Sequence, residues 1–229
     1  VKVLKTSIKL SAKSISLENG YTAKLNVTSS TGHPVTFRSN KKSIATVSED
    51  GTITAKKPGT ATITATVDKT PASCTVTVKN PTVTLSKNSI SIYRNGKFRL
   101  IAKSTSKSQQ KWKSSKKSVA TVDSGGLVTA IKNGTATITV TVDGVAKTCK
   151  VTVKKPTVKF SESEITMSVG EERKINVAVS SGNQPAFSSS NTSIASVDEH
   201  GVVSANDTGK AYIYAKEDGS KSRMRVIVK

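Results

Sequence analysis

Apolar and polar residues alternate along this chain in short runs, and the same runs return at one constant interval, that from Phe37 to Trp112 and from Trp112 to Phe187. Across residues 60–67, Ala61, Ile63, Ala65 and Val67 take one side and Thr60, Thr62, Thr64 and Thr66 the other. Alternation with period two predicts a half-buried strand, with threonine on the face that meets water. In successive copies that strand ends at Asp68, Asp143 or Asp218, and glycine follows two of the three, which predicts a tight hairpin. The strand after the hairpin sets Cys74, Val76 and Val78, then Cys149, Val151 and Val153, on its buried side. Earlier in each copy come short segments at Ile8–Leu10, Val83–Leu85 and Val158–Phe160, then others centred on Ile15, Ile90 and Ile165. A loop holding Gly20, Gly96 or Gly170 leads into a strand over residues 24–27, 98–102 or 174–179. The middle glycine is displaced by one position, whereas Leu25, Leu100 and Ile175 keep register, as a strand with one buried face requires. Phe37, Trp112 and Phe187 are expected as the single large ring of each core. Ile44-Ala45-Thr46-Val47 and its counterparts predict a short strand, followed by turns in which Gly51, Gly126 and Gly201 supply positive φ. No segment keeps a helical period, so the prediction is an all-β chain with seven or eight short strands per copy.

Self-similarity at a fixed period decides the architecture before length does. It divides the 229 residues into repeats over 1–79, 80–154 and 155–229. Val1-Lys2-Val3 falls on Val76-Thr77-Val78, so residues 1–5 are expected to be the tail of a preceding repeat in a longer array. The junctions, Lys79-Asn80-Pro81-Thr82 and Lys154-Lys155-Pro156-Thr157, are short and each carries a proline with fixed φ. Such linkers do not act as free tethers. The expectation is a monomeric, stiff, elongated array, each unit roughly 35–40 Å long and three of them about 100–120 Å.

The run [W/F]-x-S-[SN]-x-x-S-[IV]-A-[TS]-V, a turn with glycine, [IV]-[TS]-A and then G-[TK]-A-x-I occurs three times, preceded by segments of the form L-S-x-x-x-I-S. It resembles the bacterial immunoglobulin-like domain, group 2, nearly end to end, with most drift in the third copy. The resemblance implies three tandem immunoglobulin-like β-sandwiches, and the aromatic then matches the buried tryptophan such sandwiches place on a central strand. It also implies a serial module of bacterial and phage surface proteins, including adhesins and accessory regions of secreted glycan-acting enzymes. The family fixes no catalytic residue, so none is carried over, and fold alone does not specify function.

Cysteine and charge refine this picture. Cys74 and Cys149 are period-equivalent, and Met224 holds the third copy of the position, which marks an apolar slot and two unpaired buried thiols. His33 and His200 stand in loop and turn positions where sister repeats have Ser108 and Asn183, or Asp50 and Gly125. No nucleophile, base and orienting group come together as catalysis needs, and the single turn aspartates make no calcium cage. No enzyme activity, cofactor or metal is expected, and no run of 18 apolar residues predicts a helical membrane span.

The chain carries 36 basic and 15 acidic side chains. Basic and acidic side chains number 12 and 4 over residues 1–80, 15 and 2 over 81–155, and 9 and 9 over 156–229. Lys41-Lys42 and Lys116-Lys117 are equivalent pairs, and Lys103, Lys107, Lys111 and Lys113 surround the second. These eight are the candidate contacts for an anionic polymer, a cell-wall teichoic acid or an acidic host glycan, through salt-sensitive point charges. Nucleic acid is disfavoured, because the basic region has only Arg38, Arg94 and Arg99 and few aromatics to stack on bases. Tyr212 and Tyr214 replace outward threonines and form a candidate protein-contact patch. Two functional classes follow: a non-catalytic spacer or adhesin stalk at the bacterial surface, and a binding module for an anionic polymer or a host glycan or protein.

Overall fold

The computed structural model describes residues 5–229, so the expected tail of a preceding repeat over residues 1–5 lies, apart from Lys5, outside the described residues. The first repeat folds as β1 (Ile8–Leu10), β2 (Ser14–Leu17), β3 (Thr22–Lys24), β4 (Val27–Ser29), β5 (Thr36–Ser39), β6 (Ala45–Val47), β7 (Thr52–Ala55), β8 (Gly59–Val67) and β9 (Thr70–Val78). Every one of these strands returns with equivalent bounds in the second and third repeats. The all-β expectation holds, but among the described residues the count is nine per repeat rather than seven or eight. The segment read as one strand over residues 24–27 is two. β3 pairs with β7 and β4 with β1, and the chain crosses between sheets at Leu25, whose N–H bonds to Gly51 O at 2.9 Å. Leu25, Leu100 and Ile175 keep register because each is the buried side chain at that crossing.

β2, β9, β8 and β5 form a four-stranded sheet in that order, β3, β7 and β6 a three-stranded one, and β1 and β4 a pair; the same orders recur in the other repeats. β2 runs parallel to β9, with Ile15 beside Val76, whereas β8 and β9 are antiparallel with Ile63 beside Cys74. Leu25, Ala45 and Ile53 from one layer and Ile63, Cys74 and Val76 from the other share one core, so the unit is a sandwich. Cys74 and Cys149 are buried and unpaired, and burial pushes both thiols up from their ordinary range.

The aromatic ring is not at the centre of this core. Phe37, Trp112 and Phe187 are half-buried, and the buried ring of the third repeat is Phe160. A side-chain carbon on Gly51 would stand 2.9 Å from Phe37 Cζ, and one on Gly201 would stand 3.0 Å from Phe187 Cζ. The ring therefore lies over the turn glycine at the rim, which explains why the two positions recur together. The serine two residues on is a polar group buried in the first two repeats and half-buried in the third. Ser39, Ser114 and Ser189 donate to the carbonyls of Ala45, Ala120 and Ala195 at 2.7, 2.6 and 2.6 Å and accept from the N–H of Lys41, Lys116 and Asn191. The next side chain, Asn40, Ser115 or Ser190, accepts from the strand amide of Thr62, Thr137 or Tyr212 at 2.8 Å. The S-[SN] pair of the motif thus satisfies backbone groups that would otherwise be orphaned.

The hairpin between β8 and β9 has positive φ at both central residues, Asp68 at 48° and Lys69 at 62°. Its counterparts are Asp143-Gly144 and Asp218-Gly219. This is the turn whose twist matches antiparallel strands, and it strains any residue with a Cβ. The loop before β3 shows the same economy: Asn95, at φ 68°, takes the left-handed position held by Gly20 and Gly170, so the displaced Gly96 needs no positive φ. Lys69→Gly is therefore expected to raise stability by about 0.5–1 kcal/mol, strain relief exceeding glycine's entropy cost, and Gly144→Ala to lower it by about 1 kcal/mol. Urea unfolding of the whole chain measures both; a loss on Lys69→Gly would contradict the turn assignment.

Candidate functional site

The densest contacts do not follow the repeat boundaries. The chain up to Ser86 gathers with Ile101–Trp112 and Thr139–Thr148 in one compact unit. Lys87–Leu100 gathers with Lys113–Ile138 and Cys149–Lys229 in the other. Each unit contains one joint between successive repeats.

In the first joint, Asn19 follows β2 and is 8% exposed. Its Nδ2 donates to Ser108 Oγ at 2.8 Å and to Asp143 Oδ1 at 3.0 Å. Its carbonyl accepts from Lys107 N–H at 3.1 Å. Ser106 Oγ, itself buried, donates to Asp143 Oδ2 at 2.5 Å. Burial pushes the Asp143 carboxyl up, but bonds from Ser106, Ser108 and Asn19 outweigh it and leave the group below the ordinary carboxylate range. A side-chain carbon on Gly20 would stand 2.7 Å from Lys107 Cβ, so glycine permits the close approach. Lys107 then carries its ammonium over the Tyr21 ring, 4.2 Å from the centroid.

The second joint repeats this plan one period further along the chain, with stronger chemistry. Arg94, the counterpart of Asn19, donates from Nε to Glu217 Oε1 at 2.9 Å. Asn183, counterpart of Ser108, donates to Glu217 Oε1 and to the Arg94 carbonyl, each at 3.1 Å. Ser181, counterpart of Ser106, donates to Glu217 Oε2 at 3.2 Å. The carboxylate now comes from the last inward position of the strand, where the first two repeats have Val67 and Val142. Its side chain is 0% exposed against 35% for Arg94. Asp218, released from the role Asp143 plays, accepts at Oδ1 from Asn133 Nδ2 at 3.0 Å. Lys154 lies 4.2 Å from the Tyr93 centroid, so a cation stands over a tyrosine at this joint too, from a different pair of positions. Arg94, Ile131, Lys132 and Glu217 help to line an open groove of about 680 Å³.

The candidate lysines divide. Lys107 is committed to the first joint, whereas Lys41, Lys42, Lys103, Lys111, Lys113, Lys116 and Lys117 are exposed and enter no ion pair among the described residues. Lys41 and Lys116 open equivalent turns in which their carbonyls accept from the N–H of Ala45 and Ala120. Lys111 and Lys113 share one face of the strand Lys111–Ser114. Of the arginines, Arg94 is spent on Glu217, and Arg99 donates to Gly125 O at 2.8 Å. Tyr212 and Tyr214 are half-buried on the outer face of Gly209–Glu217, with Arg223 4.7 Å and Lys221 3.7 Å from their ring centroids. The patch is thus amphipathic and cationic rather than bare. His200 is a turn residue whose N–H donates to Asp198 Oδ1 at 2.9 Å. Among the described residues, no group of three or more His, Cys, Asp or Glu gathers as a metal would need, and no helix is long and apolar enough to cross a membrane.

Apart from Lys107, the joint residues do not stand out in the sequence. One signal is present: Glu217 ends an inward series of Ala211, Ile213 and Ala215, and a carboxylate on a buried strand face demands a partner. The burial contrast sets the expected energetics. Arg94→Ala leaves a buried carboxylate short of its cation and is expected to cost about 3 kcal/mol, discounted for the exposure of Arg94 itself. Asn19→Ala removes only neutral donors and is expected to cost about 1 kcal/mol. Adding Glu217→Val to Arg94→Ala is expected to restore most of the loss, since valine is what the sister repeats carry. Calorimetric unfolding of the whole chain reads all three, and equal costs for the two single variants would refute the buried-pair account.

Comparison with known proteins agrees with this architecture. No curated protein sequence matches the chain. Among solved structures, the I9–I11 tandem from titin is 13% identical, covers 97% of this chain and 99% of that one, and superposes with a TM-score of 0.53, a likeness of fold. Domains 1–6 of the surface layer protein SbsC are 20% identical over 97% of this chain, with a TM-score of 0.32, and this chain spans 40% of that one's length. Immunoglobulin domains 1–5 of Sidekick-1 are 13% identical over 99% of this chain and 60% of that one, with a TM-score of 0.41. The profile described as "Bacterial Ig-like domain (group 2)" matches residues 5–78 and 79–153. With two consecutive matches over most of its length and a third set of the same nine strands, this chain belongs to the bacterial Ig-like domain, group 2, family.

Proposed function

We propose that the chain is a non-catalytic spacer, the stalk segment of an adhesin-type or other bacterial cell-surface or secreted protein, working outside the cell. The observation that carries this reading is the recurrence of the joint. Position 19/94 meets position 108/183 and a carboxylate that position 106/181 also holds, once through an amide and once through a guanidinium. Keeping a joint while changing its residues is what a series of modules needs if its task is to hold neighbours in a fixed relation. The positions shared by the repeats build cores and turns.

A second reading has its own observation. Seven of the candidate lysines, exposed and without an acidic partner among the described residues, suit an anionic cell-wall polymer or acidic glycan, held by loosely specific point charges. Incubation of the chain with purified Gram-positive cell wall at low and at high salt separates the two. The spacer reading predicts no retention at either salt. Retention at low salt that vanishes at high salt, where exposed charges are screened, would replace it with the binding module.

A further inference from the structure

The first repeat carries a third copy of the receiving half of the joint. Positions 106, 108 and 143 correspond to Thr31, His33 and Asp68. They are assembled in the same way: Thr31 Oγ1 donates to Asp68 Oδ2 at 2.9 Å, and His33 Nδ1 lies 2.8 Å from Asp68 Oδ1. Thr6 adds a hydroxyl to Oδ2 at 3.1 Å, where the later repeats have prolines. His33 and Asp68 are 62% and 34% exposed, and among the described residues no side chain of another repeat reaches them.

We infer that Thr31, His33 and Asp68 form a preformed docking socket for another Ig-like repeat of this kind, which inserts a hydrogen-bond donor, asparagine or arginine, from the end of its second strand. The inference rests on the reading of these repeats as serial modules and deepens it by naming the receiving residues. Three features support it. The two equivalent sites in the chain each hold such a donor, Asn19 or Arg94. A carboxylate offers about four lone-pair positions, so Asp68 keeps acceptor capacity beside Thr6, Thr31 and His33, as Asp143 does beside Ser106 and Ser108. Gly32 of the socket loop and its equivalent in the second joint, Gly182, both have positive φ, 67° and 73°, and nothing within 4 Å of a would-be Cβ, so the socket loop leaves its approach as open as that of an occupied joint; the first joint has Lys107 at this position.

The partner's chemistry follows from the far end of the chain. The third repeat's counterpart of Asn19 and Arg94 is Val169, 51% exposed and without a donor. A second copy of this chain offering its third repeat therefore does not satisfy the socket. The occupant is a repeat with asparagine or arginine at that position, supplied in line.

The test extends the chain with such a donor. A copy of residues 76–150 is placed directly before Val1, which preserves the period and brings its Arg94 to the socket. Hydrogen–deuterium exchange is read on peptides covering Thr31 to His33 and the Asp68 turn, whose sequences do not occur in the added copy. Docking is expected to slow their exchange roughly tenfold relative to the unextended chain, and Arg94→Ala in the added copy to abolish the effect. Exchange unchanged by the extension would overturn the socket. The peptide covering Ser181 to Asn183 serves as the internal reference. If it stays protected while the socket does not respond, the socket inference alone fails; if it is unprotected in both chains, the spacer reading fails with it.

Discussion

A carboxylate withdrawn from water must be given hydrogen-bond donors, and in this chain that requirement links one repeat to the next. Glu217 has no exposed side-chain surface. Its oxygens are satisfied by Ser181 and Asn183 from its own repeat and by Arg94 from the one before. Removing any donor leaves charge in a poor dielectric, which is costly well beyond the modest value of an exposed ion pair. The first joint solves the same problem with less at stake. Asp143 reaches the equivalent point from the hairpin turn, keeps more contact with water, and is met by an amide instead of a guanidinium. Two routes for a carboxylate to one place, with the same receiving positions, indicate that the location matters more than the residue supplying it.

Around these joints the repeats divide their residues by task. Inward aliphatics, the buried serine and the rim aromatic over its turn glycine serve the sandwich. Outward threonines and lysines leave the core untouched, which lets net charge fall from strongly positive to balanced between the second and third repeats without altering a strand boundary. The tyrosines of the third repeat show the same freedom. Tyr212 and Tyr214 replace threonines, and the change is absorbed by Arg223 and Lys221 lying over the rings.

The sandwich is legible in the sequence because burial on one face imposes a period of two, and repetition shows which positions cannot drift. Ala61, Ile63, Cys74 and Val76 all lie where alternation puts them. Residues 24–27 read as a single strand because an apolar residue that crosses between sheets looks locally like one within a sheet. Phe37 reads as central because size suggests the middle of a core, whereas a ring can cover a rim glycine that tolerates no Cβ. The joint stays hidden for another reason. Asn19, Ser106, Ser108 and Asp143 are common loop residues, and only distance in space reveals that they meet. Arg94 and Glu217, 123 positions apart, are a pair no local pattern can show.

The central claim is that the joint fixes one repeat against its neighbour. Residual dipolar couplings measured separately for amides of residues 87–100 and of the third repeat test it most directly, in the native chain and in Arg94→Ala. The account predicts that one alignment tensor fits both sets in the native chain and that two are needed once the guanidinium is removed. Two tensors in the native chain, or one that survives Arg94→Ala unchanged, would contradict it.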